Sequence, residues 1–273
     1  MREEYAQLLP DWYNSVEEHD LVLSDDIDSL ASCAVLNMVK GWTIRYFYDF
    51  NTIYKEETNK SNRRCWVDIA TYKGRAFDNH VSLLSDWDTW NDKMINLNLM
   101  CQVTNENYTD KYAGSTLLTI WSVYNLPLPE TEEGKMLMLC IDSAYKGFYS
   151  DAFHDTQRHY LVDVMGLDGL YDVIQRHTKE EFEDIALQYG LHRKISIWDR
   201  EILTDLPLDK IGQALGLDLN ILPKSAYFPC VRLEQIKADI GSKEYNDELD
   251  TDIKTLAVVY RGKVKYSKIK ERR

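Results

Sequence analysis

Acidic side chains recur where the apolar runs of this sequence end. Asp26 and Asp28 follow Leu21 to Leu23 in LVLSDDIDS, Asp68 closes CWVD, Asp78 and His80 flank Asn79 in FDNHVS, and Asp142 follows MLMLCI. Each has an ordinary reading in isolation. Ser24 and Asp25 suit the cap of a following helix, and an Asp at a strand end is commonly a turn former. If the runs are parallel strands of one sheet, their carboxyl ends share the edge where α/β sheets bind ligands. Carboxylates gathered there repel one another unless cations neutralise them, so the ordered set points to a divalent-metal site and to the hydrolytic chemistry such ions support.

Other motifs are missing. The sequence has no G-x-x-x-x-G-K-[ST] phosphate loop, no G-x-S-x-G elbow, no H-E-x-x-H, and no G-x-G-x-x-G after the first apolar run. The acidic segment SDWDTWND lacks the glycine and terminal Glu of a calcium loop and reads as a solvated loop. His154 and His159 are five residues apart and share no helix face; with His19, His177 and His192 they read as ordinary surface or core histidines. Most of the 18 tyrosines and 7 tryptophans sit in apolar-periodic positions, where packing is the default role.

The elements that must position the acids follow from pattern. Residues 1 to 19 read as an amphipathic helix broken by Pro10. Leu21 to Leu23, SDDIDS and LASCAVLNMVK then give a strand, a turn and a helix ending at Gly41, the first half of a β-α-β unit. Thr43 to Phe50 predicts a second strand, KEETNKSNRR a loop, and Cys65 to Thr71 a third strand. Helices are expected over Tyr112 to Tyr124 and Glu132 to Ala144. Further on, HTKEEFEDIALQYG carries a Thr178/Glu181 capping box and a stop at Gly190, KISIWDREIL reads as a hairpin, LDKIGQALG as a short helix, and AYFPCVRL as a strand. TLAVVYRGKVKYSKI predicts two strands turning at Arg261-Gly262. The expected architecture is α/β: a parallel sheet flanked by helices over residues 1 to 160, with a smaller α+β domain over 161 to 273.

The 273 residues carry 32 Lys plus Arg against 45 Asp plus Glu, a net charge of 32 − 45 = −13. The charge is unevenly placed: residues 254 to 273 hold eight basic residues and one acid, +7, leaving −20 for the other 253. An acidic body disfavours duplex DNA and anionic membranes as partners, since affinity for polyphosphate comes from cationic side chains. The basic C-terminal strands can offer a local phosphate-binding face through Arg261, Lys263 and Lys265, or equally a hairpin edge blunted with lysine. Five scattered cysteines without a C-x-x-C pair suit free thiols in a reducing compartment. No signal-type or membrane-length apolar run is present, so a soluble, cytoplasmic chain is expected.

Taken together, LVLSDDIDSLAS, CWVDIAT, FDNHVS and MLCIDSAYKGF resemble, in order, the four motifs of the DHH phosphoesterases. That family includes RecJ-type exonucleases, oligonucleotide and cyclic-dinucleotide phosphodiesterases and family II inorganic pyrophosphatases. KYAGSTLLTIWSVY is similar to the small-residue helix between its third and fourth motifs. The resemblance covers residues 18 to 150; no G-G-G-H signature of the family's C-terminal domain follows. It implies two divalent cations, Mg²⁺ or Mn²⁺, with Asp26 on the first, Asp28 and Asp142 on the second and Asp68 bridging. His80 would face the substrate phosphate, and Asp78 would orient the motif. Two departures stand out: Val22 and Asn79 fall where the family usually has histidines. Val22 cannot ligate and Asn79 could do so only through a neutral oxygen, which shifts preference toward harder, oxygen-liking ions. The function expected from the resemblance is hydrolysis of a phosphodiester in a short single-stranded oligonucleotide or small nucleotide. The alternatives are a catalytically reduced DHH-fold protein that binds a nucleotide or a protein partner, and an inorganic pyrophosphatase.

Overall fold

The computed structural model describes residues 1–58, 62–88, 90–241 and 253–270. Residues 59–61 of the expected polar loop, Thr89 of the acidic Trp-bearing segment, and Glu271, Arg272 and Arg273 of the basic tail lie outside the described residues.

Helix α1 (Glu3–Ala6) and a 3-10 turn (Asp11–Asn14) precede strand β1 (His19–Leu23) and helix α2 (Ile27–Lys40). Strands β2 (Thr43–Tyr48), β3 (Thr52–Glu56), β4 (Arg63–Val67), β5 (Arg75–Phe77) and β6 (Met94–Ile95) follow. Next come helices α3 (Leu97–Met100), α4 (Thr116–Val123), α5 (Glu132–Cys140) and α6 (His154–Arg158), the last continuing into a π-helical turn (His159–Val164). Helices α7 (Asp168–Arg176) and α8 (Lys179–Gln188) lead to the hairpin β7 (Ile195–Trp198) and β8 (Glu201–Thr204). Helix α9 (Leu208–Leu215) and strands β9 (Tyr227–Asp239), β10 (Ile253–Tyr260) and β11 (Lys263–Ile269) complete the order.

Nine strands form one sheet in the order β10-β11-β9-β3-β2-β1-β4-β5-β6. From β2 to β6 neighbouring strands run parallel, whereas β3, β9, β11 and β10 join antiparallel. The sheet is therefore mixed, correcting the expectation of a purely parallel one. The cause is local: after β2 the Asp49 carboxylate accepts the amides of Asn51 and Thr52, so the chain reverses at once into β3. That turn also ends β2 at Tyr48, short of Phe50, and gives Lys55 and Glu56 to a strand where a loop was expected. Glu56 is buried there because Arg45 and the Ser225 hydroxyl both bond its carboxylate.

Residues of the parallel strands alternate between two buried faces. Leu21, Leu23, Ile44, Phe47, Cys65, Val67 and Phe77 pack with helices α2, α4, α5 and α7 to α9 in the main core. Val22, Tyr46, Tyr48, Trp66 and Ala76 fill a second cluster on the opposite face with Ile53 and Leu233. Burial on both faces explains why the strands read as continuous apolar runs. The sheet curls so that β10 returns to the parallel half: Leu256 and Val258 donate their amides to the carbonyls of Ala70 and Val81, and Tyr72 to that of Lys254. Strands β9 to β11 thus extend the sheet that holds the N-terminal strands.

The helix expected over residues 1 to 19 is only Glu3–Ala6 with a 3-10 turn after Pro10, the third strand ends at Val67 rather than Thr71, and α4 starts at Thr116 rather than Tyr112; at other points pattern and element agree. Helix α2 ends at Gly41, which takes the left-handed conformation at φ 69°; the Thr178/Glu181 capping box opens α8, and Gly262 lies in the turn between β10 and β11 at φ 84°.

Candidate metal centre

The carboxyl ends of β1, β4, β5 and β6 lie side by side, because Asp68 donates its amide to Phe77 O (2.8 Å) and Asp78 to Ile95 O (3.1 Å). The residues just beyond those ends are Asp25 and Asp26, Asp68, Asp78 to His80, and Asn96. This juxtaposition is the one expected of a parallel sheet edge.

Asp26 is the N-cap of α2, accepting the Ser29 amide at 3.3 Å. Two residues on, Asp28 is buried against the start of α4. Its Oδ2 accepts the Thr116 amide and its Oδ1 the Leu117 amide, both at 2.8 Å, with the Ser32 hydroxyl at 3.4 Å. An anion there satisfies two of the amides a helix start leaves open. Burial, then Asp142 and Asp26, push the Asp28 carboxyl well above the usual range. Asp68 ends β4 at φ 59° and accepts the Thr116 hydroxyl at 2.8 Å. Its carboxyl too is pushed up by burial, then by Asp28 and Asp26.

Asp78 is fully buried. Its Oδ1 bonds His80 Nδ1 at 2.7 Å, and its Oδ2 accepts the His80 amide (3.0 Å) and Asn96 Nδ2 (2.9 Å). Burial alone lowers the His80 pKa, but Asp78, Asp68 and Asp142 outweigh it and raise it to about 10, leaving a charged imidazolium on a side chain still 46% exposed. Asn79 donates its side-chain amide to Gly114 O (2.5 Å) and Asp142 Oδ2 (3.0 Å). Asp142 ends the α5 segment at φ 51°, next to Ser143 at φ 56°. Burial and Asp26 raise the Asp142 carboxyl against the opposing effect of His80.

Asp26, Asp28, Asp68, Asp142 and His80 thus share one electrostatic neighbourhood. A closer approach is narrower: one donor atom each from Asp68, Asp78 and His80 lie within 4.8 Å of one another, and among the described residues this is the one group of three acids, histidines or cysteines so close. The carboxylate oxygens of this group, beside buried carboxyls in need of neutralisation, are of the kind hard divalent ions such as Mg²⁺ or Mn²⁺ take, whereas His80, cationic beside Asp78, has no lone pair to give.

Several participants carried no sequence signal. Lys194, just before β7, places its ammonium 3.0 Å from Asp25 Oδ1 and 3.3 Å from Asp26 Oδ2. Asn96 and Asn98 are buried, Asn98 tying the Asn79 carbonyl (2.7 Å) to the Tyr112 backbone. The N-x-N spacing after the apolar pair Met94-Ile95 could have marked them, as it repeats the strand-end polarity of Asp68 and Asp78. Of the basic residues expected to face substrate, Lys265 lies close enough for Asp25 to act on its charge, while Lys263 pairs with Asp239 at 2.9 Å. Arg261 is exposed at the turn after β10.

No protein-family model, curated protein or solved structure matches the chain. No helix among the described residues is long and apolar enough to cross a membrane.

Proposed function

We propose that the chain is a divalent-cation-dependent phosphoesterase of the DHH type, hydrolysing a phosphodiester in a short single-stranded oligonucleotide or small nucleotide. The observation that carries this reading is the approach of donor atoms of Asp68, Asp78 and His80 to within 4.8 Å of one another at the carboxyl edge of β4 and β5, with Asp28 and Asp142 near enough to act on the Asp68 carboxyl. Such a cluster is costly by itself and becomes favourable with a cation.

A bound ion supplies an acidified water and neutralises charge on the phosphoryl oxygens. The chain's own groups do the rest. Asp68 would hold such an ion, its carboxylate oriented by the Thr116 hydroxyl. Asp78 fixes the ring of His80 through Nδ1 and keeps it cationic, which leaves Nε2–H as a donor to a non-bridging phosphoryl oxygen. Asn79 holds the Asp142 carboxylate in place from below. Lys265, near enough for Asp25 to act on it, would add positive charge for a substrate phosphate.

The test is turnover by the purified chain with Mg²⁺ or Mn²⁺ over dinucleotides, short single-stranded DNA and RNA, cyclic dinucleotides and pyrophosphate, beside Asp68→Ala. Metal-dependent hydrolysis of a phosphodiester, lost in Asp68→Ala, is the expected result. No turnover of any substrate, or turnover unchanged in the variant, refutes the hydrolase. Nucleotide binding without turnover favours the sequestering alternative.

A further inference from the structure

The cleft is asymmetric in what its carboxylates are free to do. Asp28 has both oxygens committed to the Thr116 and Leu117 amides and is 3% exposed. Asp26 accepts the Ser29 amide through Oδ1 and faces the Lys194 ammonium through Oδ2. Asp25 faces the same ammonium at 3.0 Å. Across the cleft, by contrast, Asp68, Asp78 and His80 bring donor atoms within 4.8 Å of one another.

Lys194 is held there by its backbone. The next residue, Ile195, is buried and donates its amide to Asp25 O at 2.7 Å. The carbonyl of Lys194 itself accepts the Thr204 hydroxyl from β8 at 3.1 Å. The main chain around the lysine is thereby fastened both to the loop carrying the acids and to the hairpin behind it. The two positions at which the family resemblance expects imidazoles do not supply them: Val22 packs in the apolar cluster with Tyr46 and Trp66, and Asn79 turns N–H donors, not lone pairs, toward Asp142.

We propose that Lys194 occupies the place of one divalent cation, its ammonium bridging Asp25 and Asp26 and offsetting one of their two charges, so that the centre takes a single divalent ion beside Asp68 and His80. This rests on the cation-dependent reading above and differs from the pair of ions that the family resemblance implies. An ammonium cannot acidify a bound water as a divalent ion does, but it has three N–H donors. Two meet Asp25 and Asp26, and the third is available to a phosphoryl oxygen of the substrate. Lys194 is then a substrate-binding residue as well as a fixed counter-charge.

The experiment is Mn²⁺ stoichiometry on the full chain by native mass spectrometry, with the Mn²⁺ electron paramagnetic resonance spectrum as a second readout, for wild type, Lys194→Ala, Lys194→Arg and Asp68→Ala. Expected are one Mn²⁺ with an uncoupled six-line spectrum in wild type and Lys194→Arg, loss of that ion in Asp68→Ala, and a second, spin-coupled Mn²⁺ in Lys194→Ala. Lys194 is exposed enough that its truncation leaves the fold intact. Two ions in wild type, or one ion in Lys194→Ala, overturns the inference while leaving a metal-dependent hydrolase standing. No ion in wild type removes both readings.

Discussion

Thr116→Val separates the support of the centre from the stability of the fold. Thr116 is fully buried in the first turn of α4; its amide goes to Asp28 and its hydroxyl to Asp68, each at 2.8 Å. Valine keeps the branched shape and the amide, so only the hydroxyl bond is lost. A hydrogen bond to a charged group contributes about 1.5–3 kcal/mol, and each ~1.4 kcal/mol is a factor of about ten in affinity. Without a cation, Asp68 can escape most of this cost by taking a proton, since burial and the neighbouring Asp28 and Asp26 already push its carboxyl up. With a cation bound it must stay ionised, and the whole loss falls on binding. Calorimetric titration should show Mn²⁺ affinity weakened roughly 10- to 100-fold, in the range seen when an outer partner of a metal ligand is removed. Urea unfolding in chelator should show a loss below about 2 kcal/mol. Thr116→Ser, which restores the hydroxyl, should recover the affinity. Wild-type Mn²⁺ binding by Thr116→Val, or a serine variant as weak as the valine one, refutes the reasoning.

Two further outcomes follow from a buried histidine and a lysine of β11. His19 is buried between Trp42 and Trp12, donates Nδ1–H to Glu17 O at 2.9 Å and meets Arg75 through Nε2. Burial lowers its pKa, with Arg75 acting in the same direction against the Glu17 carbonyl. The folded state therefore binds this proton less readily than the unfolded chain: its contribution to stability is full above the unfolded value of about 6.5 and is lost as pH falls below it. Wild type minus His19→Gln should fall on acidification from that point in urea unfolding, and a flat difference refutes the assignment. Lys265 lies 4.9 Å over the Phe50 ring, directly opposite Lys237 in the β9–β11 register. Lys265→Ala should raise KM for an anionic substrate and weaken its salt dependence with little change in kcat; an unchanged KM removes Lys265 from the substrate face.

The strand-end acids were legible because a parallel sheet buried on both faces writes its strands as apolar runs, and the first polar residue after each run marks the shared edge. Asp68 was found in this way and Asp26 just beyond the first polar residue, Ser24, whereas Asp78 was read from the FDNHVS motif, since the three-residue strand before it is too short to show as a run. Lys194 was not, because its approach to Asp25 depends on where the β7–β8 hairpin docks, a relation between residues 169 apart that no local pattern encodes. The antiparallel half was missed for a related reason. Glu56 at the end of β3 reads as a loop residue, and only Arg45 and Ser225, distant in sequence, make its burial tolerable.

Backbone conformation adds what neither composition nor spacing could supply. Asp68, Asp142 and Ser143 all take φ between 51° and 59°, a region where a residue with a side chain pays about 1–3 kcal/mol. Two of the three are the acids that face the cleft from β4 and from the end of α5. A strand or helix that simply ended would favour glycine or asparagine at such a point. Aspartate there is less comfortable in conformation and, once buried among carboxylates, in charge as well. Positive φ occurs also at Phe50, Gln102, Asn125, Asp199 and Arg200, so it is the coincidence with a buried, pKa-raised carboxyl that sets Asp68 and Asp142 apart. A cation that neutralised these carboxyls should therefore stabilise this edge, which unfolding with and without Mn²⁺ would show.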